Sequence, residues 1–439
     1  MSRAPQVKFT VAICGGGIGG LTLANALSKH EDIQVDLYEA ASHFGEIGAG
    51  LGIWWRGRKI LQALGLDNDI SAIGGDFDDE RVPTFTLRKA DQSEGKDFST
   101  IMTNGKMTSL HRAEFHAVLL KHLPPSCGLF NSKRLTSYSQ PANNEDPIEL
   151  IFADGSKASC DVLIGADGLK SAVRVSMMQE RAASAEEGGE AEDLDASARA
   201  VYSGVQAYRA VVPSETLARA APNHRVLTSH NIYVGNGGHI VAYPISQGSF
   251  VNIVLFRAEY DKTGINFPDP WVSQADPQEL LGLFEGWEPE VRTLISCLTE
   301  VPTNKWVVNV VKPLPSFSWR RIALLGDAAH AMKPFGAKGV GQAIEDAYIL
   351  AALLSHRLTS KTTIPHALDI YSQIRRPLAL EASEHARKSG MLLSMYGAPN
   401  VDEISQGLQD NFDWYAQIDP AEDLKKAVDL LENPGPSDV

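Results

Sequence analysis

The sequence predicts an α/β fold with three parts: a βαβ-based N-terminal unit, a second domain built on a mostly antiparallel sheet, and a helical C-terminal region. Three observations carry this. The apolar run KFTVAIC (8–14) is followed by a glycine-rich turn, a helical stretch LTLANALSKH (21–30) and a second strand-like run IQVDLYEA (33–40). Parallel strand neighbours need a crossover helix of this length. From about 201 to 311 strand patterns multiply (VYSGVQAYRAVV, NIYVGN, HIVAYPI, SFVNIVLF, NKWVVNVV), and from about 339 the spacing is helical.

Composition limits what the chain does. With 439 residues, two to three domains are expected. A formal net charge of −14 argues against general nucleic-acid binding, though it permits a local basic pocket for a small anion. The four cysteines (Cys14, Cys127, Cys160, Cys297) form no CxxC pair, which fits a reduced compartment with neither a disulfide framework nor a metal site. Cys14 and Cys160 read as small core residues. No signal peptide is recognised, and the longest apolar runs fall short of the roughly 18–20 residues that span a bilayer. A soluble, cytoplasmic protein without membrane partners, monomeric or homodimeric, is expected.

Taken in order, residues 57–66 (GRKILQALGL) and 110–124 (LHRAEFHAVLLKHLP) read as amphipathic helices, and IELIFADGS (148–156) and CDVLIGADG (160–168) as strands. Residues 179–199 are acidic, rich in small residues and nearly free of large apolar groups, so a mobile surface loop is expected. RRIALLGDAAHAM (320–332) returns to a buried-strand pattern, and ENPGPSDV is a frayed tail. The domain plan is then 1–80, 105–178 and 312–360 for the first domain, 81–104 and 200–311 for the second, and 361–439 for the helical region.

Five of the seven residues in CGGGIGG (14–20) are glycine. In a strand–turn–helix setting, Gly15 permits the tight turn, Gly17 lets backbone approach a pyrophosphate, and Gly20 lets helix and strand pack closely. The helix N-terminus then offers N–H groups to phosphate. Glu39 closes the second strand about 20 residues on, where an acid binds ribose hydroxyls. With strand, helix and distal acid all present, the unit is Rossmann-like and binds a dinucleotide. The Asp-Gly pair in GADG (165–168) is a turn unless other motifs accompany it. Asp327, after a buried strand, is placed to accept hydrogen bonds from a polyol. The loop 336–341 feeds a helix whose N-terminal dipole suits negative charge developing on a ring system. His330 has two open readings, a core histidine or a side chain lining the site.

CGGGIGG with Glu39, GADG with Arg174, and GDAAHAMKP together resemble the three signatures of single-component, FAD-dependent aromatic hydroxylases (group A flavoprotein monooxygenases). EIGAGLGI, HRAEF, AYRA and RRP (375–377) resemble the salicylate hydroxylase-like branch. The resemblance runs from about residue 10 to 377. It implies that Gly15, Gly17, Gly20 and Glu39 hold the ADP half of FAD, and that Arg112 contacts FAD. It ties Asp167 to FAD and NAD(P)H binding, with Asp327 on the ribityl chain and Gly339, Val340 and Gly341 beside the flavin pyrimidine edge. It further implies NADH or NADPH as cosubstrate, O2 as oxidant, and oxygen transfer to an electron-rich aromatic carbon. In salicylate-type enzymes that carbon bears the carboxylate, so CO2 leaves and a catechol remains.

On the substrate side the resemblance points to Arg209, which pairs with a carboxylate or phenolate or else forms an ordinary salt bridge. Tyr243 is an active-site wall or core packing. His330 orients substrate or handles a proton if it lines the site. Of Trp54 and Trp55, one is expected to wall the pocket. PFGAKGVGQ departs from the common P-x-x-G-x-G-x-G pattern, with Ala337 at the first glycine and Lys338 beside it. That lysine attracts an aromatic carboxylate, stabilises a flavin anion, or points to solvent. IWWRGR is also unusual, so para-substituted benzoates compete with salicylate as substrate. An FAD-dependent epoxidase is the alternative of a different class.

Overall fold

The computed structural model describes residues 7–45, 50–76, 78–184, 189–417 and 419–434. Residues 46–49 of EIGAGLGI, 185–188 of the acidic segment and most of the C-terminal tail lie outside it.

The apolar runs build a six-stranded sheet in the order Ser318–Trp319, Ile322–Leu324, Val162–Gly165, Phe9–Cys14, Ile33–Tyr38, Gly128–Phe130. All neighbours are parallel except the first pair. Its central strands are buried on both faces, as their unbroken apolar runs require. Cys14 and Cys160 are buried in this core. The crossover helix Ile18–Leu27 is covered by the helix Gly339–Ser355, and the two lie close because Gly19 offers no Cβ; one built there would sit 3.3 Å from Ala343 Cβ on that helix and 2.7 Å from Leu325 Cδ1. A short antiparallel pair, Gly50–Ile53 with Thr108–His111, projects from this domain towards the second.

The second sheet has eight strands in the order Val272–Gln274, Asn304–Val311, Ala200–Pro213, Phe250–Ala258, Gly238–Ile245, His230–Gly235, Arg81–Lys89, Lys96–Asn104. Only His230–Gly235 and Arg81–Lys89 run parallel. Alternation decides its faces. Tyr208, Ala210, Val212, Ile240, Ala242, Ile253 and Leu255 share a core with residues of the helices Ser214–Ala220, Pro277–Leu283 and Pro289–Thr299. The opposite face, with Val254, Phe256 and Tyr243, packs on Trp54, Phe335 and the C-terminal helices Ile364–Leu393 and Val401–Ala416.

The acidic segment is not the loop expected. Ala172–Ser184 and Gly189–Ala198 are helices, and Leu194 and Ala198 are buried. Alanine and glutamate are strong helix formers, and one leucine with an alanine four residues on seats one turn on the core. The sequence reading counted large apolar residues and missed this.

Beneath the helix Gly339–Ser355 lies a buried ionic network. Glu345 and Asp346 are adjacent and shielded from water. Arg375 donates Nη1 to Glu345 (2.9 Å), Nε to Asp346 (2.8 Å) and Nη2 to Gln342 Oε1 (2.7 Å). Arg56 donates to both Glu345 oxygens (3.0 Å each) and to Asp423 (2.9 Å). Burial favours neutral carboxyls, but the surrounding cations outweigh it and hold Asp346 at about 2. Removing one partner strands a buried charge, so Arg375→Met is expected to cost about 3–5 kcal/mol, read as a lower urea midpoint. An unchanged midpoint would mean that the network contributes nothing to stability.

Candidate active site

The glycine loop is built by close approach. Gly15 has φ +117°, and a Cβ there would lie 2.1 Å from the Ala166 carbonyl oxygen. One on Gly20 would lie 2.0 Å from the Gly15 carbonyl oxygen. Gly17 precedes the helix Ile18–Leu27 without capping it through a side chain, which leaves the first-turn N–H groups for a ligand. Glu39 accepts hydrogen bonds from the Gly16 and Ala41 N–H groups (2.7 Å each), which ties the acid at the end of the second strand to the glycine loop. His116, which the sequence did not flag, donates Nε2–H to the Gly16 carbonyl (2.8 Å) and braces the loop from below.

Asp167 closes the Val162–Gly165 strand region. Its Oδ2 accepts from the Ala172 and Val173 N–H groups (2.8 and 3.1 Å) and starts the next helix. Its Oδ1 is buried with no partner among the described residues, and burial raises its pKa. That orphaned oxygen, the glycine cradle and the uncapped helix N-terminus fit a bound dinucleotide. Arg174 is turned inward instead, donating to the carbonyls of Ala198, Ala328 and Leu169 (2.9, 2.9 and 2.6 Å), so it brackets the motif.

Asp327 is exposed at the start of the short helix Asp327–His330, beyond the turn at Gly326. His330 is buried, bonded through Nε2 to Asp346 Oδ2 (2.5 Å) and set against the Phe317 ring. The same Asp346 oxygen accepts the Gly326 N–H (2.9 Å). His330 thus has the surroundings of a core histidine that steadies the Asp327 turn, and its Nδ1 is buried with no partner among the described residues.

Gly339, Val340 and Gly341 open the helix Gly339–Ser355, which has no side-chain cap. The space above Gly339 is empty to 4 Å. Lys338 points neither to this space nor to solvent. It is 2% exposed, and burial among Phe412, Trp414 and Tyr415 lowers its pKa to about 7. Trp54 donates Nε1–H to the Gly336 carbonyl (2.8 Å) and packs on Phe85 and Phe412, whereas Trp55 lies beside Lys59 on the helix surface.

Arg209 and Tyr243 come together on the inward face of the second sheet. Arg209 Nη2 donates to the Gly50 carbonyl (3.0 Å), and its buried Nε has no partner among the described residues. Asn252 Oδ1, on the same face, accepts the Gly50 N–H (3.0 Å). Gly50 pairs with His111, next to Arg112, whose charge is near enough to act on Arg209. The Tyr243 hydroxyl is pushed up to about 12 by burial, with Arg209 pulling the other way. Its ring stacks on His230 (5.3 Å). His239, four residues earlier on the same strand, is a residue that the sequence reading missed. It stacks on Phe256 and faces Phe335 (4.7 and 5.1 Å), its Nε2 is buried without a partner among the described residues, and burial lowers its pKa to about 3. The register of HIVAYPI carries the signal: His239, Val241 and Tyr243 alternate onto one face.

The FAD binding domain family model matches residues 8–219 and 310–386. The chain belongs to this family. It is an FAD-dependent monooxygenase of the salicylate hydroxylase type. An FAD-dependent monooxygenase of Strobilurus tenacellus is 37% identical over 97% of this chain and 98% of its own length. Salicylate hydroxylase of Pseudomonas putida is 33% identical over 97% and 95%. The solved substrate complex of a salicylate hydroxylase superposes with TM-score 0.79 at 29% identity, covering 97% of this chain and 98% of that one. In this monooxygenase no helix among the described residues is long and apolar enough to cross a membrane.

Two outcomes test the geometry. Gly15→Ala is expected to purify without visible flavin absorbance, because its Cβ has no room beside Ala166; a fully flavinated variant would contradict the cradle. His330→Gln is expected to lower the melting temperature while leaving substrate-triggered NAD(P)H oxidation per bound flavin little changed, as a positioning residue behind the site should.

Proposed function

We propose that the enzyme hydroxylates a small aromatic carboxylate bearing a hydroxyl or amino group, at the carbon that carries the carboxylate, with release of CO2. NADH or NADPH reduces the flavin and O2 supplies the oxygen atom. Gly15, Gly17 and Gly20 take the pyrophosphate, Glu39 the adenosine ribose, and Arg112 and Asp167 the body of FAD. Asp327 takes the ribityl chain, and residues 339–341 the pyrimidine edge. When bound, the flavin supplies hydride acceptance and oxygen activation.

The observation that carries the substrate reading is Arg209: a half-buried cation whose shielded Nε–H has no partner among the described residues, on the face that also holds Tyr243 and His239. A guanidinium keeps its proton throughout the working pH range. Burial keeps Tyr243 and His239 neutral, since the phenol ionises only at about 12 and the imidazole charges only at about 3. Arg209 therefore offers the permanent charge to an anionic ligand, and the two neutral side chains orient its polar substituents. A phenolate held against that cation stays deprotonated, and its lone pairs raise electron density on the ring carbon under attack. Apolar neighbours such as Val254 and Ile232 exclude water around it.

Arg209→Met is expected to weaken substrate binding by about 1.5–3 kcal/mol, roughly ten- to hundredfold in Kd, with FAD content unchanged. Loss of FAD with unaltered substrate affinity would move Arg209 to the cofactor. Scored for NAD(P)H consumption and CO2 release, a panel of hydroxybenzoates, anthranilate and aminobenzoates should give coupled turnover with CO2 from a 2- or 4-substituted benzoate. Hydroxylation without CO2 would overturn the decarboxylating reading, and turnover of alkenes alone would overturn aromatic hydroxylation. His239 is neutral above about pH 4, so kcat/KM of His239→Gln and wild type should share one pH profile from pH 5 to 9. An inflection near pH 6.5 that vanishes in the variant would place a titrating imidazole in the reaction.

A further inference from the structure

Residues 334–338, immediately before the proposed flavin-facing glycines, adopt a turn that their sequence does not favour. Ala337 has φ +51°, in the left-handed region that side chains beyond glycine rarely adopt, and follows Gly336 at φ +77°. Two side chains hold this turn from outside it. Trp54 donates to the Gly336 carbonyl (2.8 Å). Lys338 reaches away from the turn and donates Nζ–H to the Asn411 carbonyl (3.0 Å) on the helix Val401–Ala416. Its ammonium lies 6.0, 5.3 and 5.7 Å from the ring centres of Phe412, Trp414 and Tyr415. Phe412 also packs edge-on against Trp54 at 5.1 Å, so both fasteners meet on one aromatic residue. Asn411 is itself fixed, its Nδ2 donating to Ser389 Oγ (2.9 Å). An ammonium so thoroughly buried is costly unless its surroundings compensate. Here one carbonyl and three aromatic rings offset only part of that cost, and burial still holds the Lys338 pKa down at about 7.

We propose that Lys338 and Trp54 clamp the 334–338 turn against the C-terminal helix Val401–Ala416, and that this clamp holds residues 339–341 in the position that binds the flavin. Lys338 is then a positioning residue, and the C-terminal helix supports the cofactor site through this clamp as well as through Tyr415, whose hydroxyl lies against Gly341. The clamp is needed because alanine occupies a left-handed position that glycine would adopt unaided. This inference rests on the placement of residues 339–341 proposed above.

Four substitutions, singly and in combination, titrated as apoprotein with FAD by quenching of flavin fluorescence, test it, with apoprotein melting followed in parallel. Lys338→Met should weaken FAD binding at least tenfold. Adding Ala337→Gly to it should restore most of the loss, because glycine no longer needs the clamp. Trp414→Leu should weaken FAD in the same direction, and combining it with Lys338→Met should add little, as expected of two parts of one contact. If Lys338→Met does not fold, Trp414→Leu with and without Ala337→Gly makes the same test. Wild-type affinity in Lys338→Met, or a loss that Ala337→Gly leaves unrepaired, overturns the clamp. Gly339→Leu separates the two layers, since its side chain enters the open space over Gly339. Weak FAD binding there beside an intact Lys338→Met removes the clamp alone, whereas wild-type binding in Gly339→Leu removes the flavin placement itself.

Discussion

Two adjacent carboxylates, Glu345 and Asp346, are buried in the helix that begins at the proposed flavin edge, and much of the molecule is arranged around neutralising them. A buried carboxylate is tolerable only with cations and hydrogen bonds around it. The chain supplies these from four directions: Arg56 after the Gly50–Ile53 strand, His330 after the last strand of the first sheet, Arg375 from the long C-terminal helix, and Tyr415 from the next (3.0 Å to Glu345). Each of these elements also touches the site. Satisfying one electrostatic demand therefore fixes the Asp327 turn, the Trp54 helix and the C-terminal cover in relation to the helix Gly339–Ser355.

The joint between the two sheets is simpler. One part of it is the backbone of Gly50, whose N–H and C=O are bonded to Asn252 and Arg209 of the second domain, while its strand pairs with the strand leading to Arg112 in the first; Ser109 and His230 bridge the same two domains nearby (2.9 Å). A side chain there would enter the space of Asn252, 2.4 Å from its Cγ. The groups proposed for cofactor and substrate thus share one rigid connection. That suits oxygen transfer, where misplacement of the reacting centres is costly.

Legibility in the sequence followed the range of the interactions. The glycine loop, Glu39 and the parallel core were readable because each is a local pattern with one geometrical solution: close approach at Gly15, alternation and burial in the strands. His330 stayed open between two readings because its partner Asp346 lies on another element, and nothing in GDAAHAM reveals it. His239 was overlooked although alternation with Tyr243 placed it on the inward face; the missing ingredient was that this face, and not its opposite, meets the first domain. Lys338 was noted as unusual, but its aromatic surroundings come from a helix some 70 residues on, beyond the reach of any local pattern. Residues 179–199 failed for a different reason: composition suggested exposure, while helix propensity and two well-spaced contacts settled the conformation.

The electrostatics of the inward sheet face explain how a chain of net charge −14 would accommodate the anionic aromatic ligand proposed above. The surface charge acts through water and salt and is largely screened beyond about 10 Å. Within the face, burial forces Tyr243 and His239 to stay neutral, so neither contributes a competing charge. Arg209 is half-buried with its Nε shielded from water, and the Gly50 carbonyl satisfies only part of its donor set. An unmet guanidinium N–H in such surroundings gains more from an incoming carboxylate or phenolate than an exposed arginine would, because little hydration remains to be lost. In the reading proposed above, the shielding of the Arg209 Nε–H is what would favour an anion, and the neutral tyrosine and histidine on the same face would leave that preference unchanged across the physiological pH range.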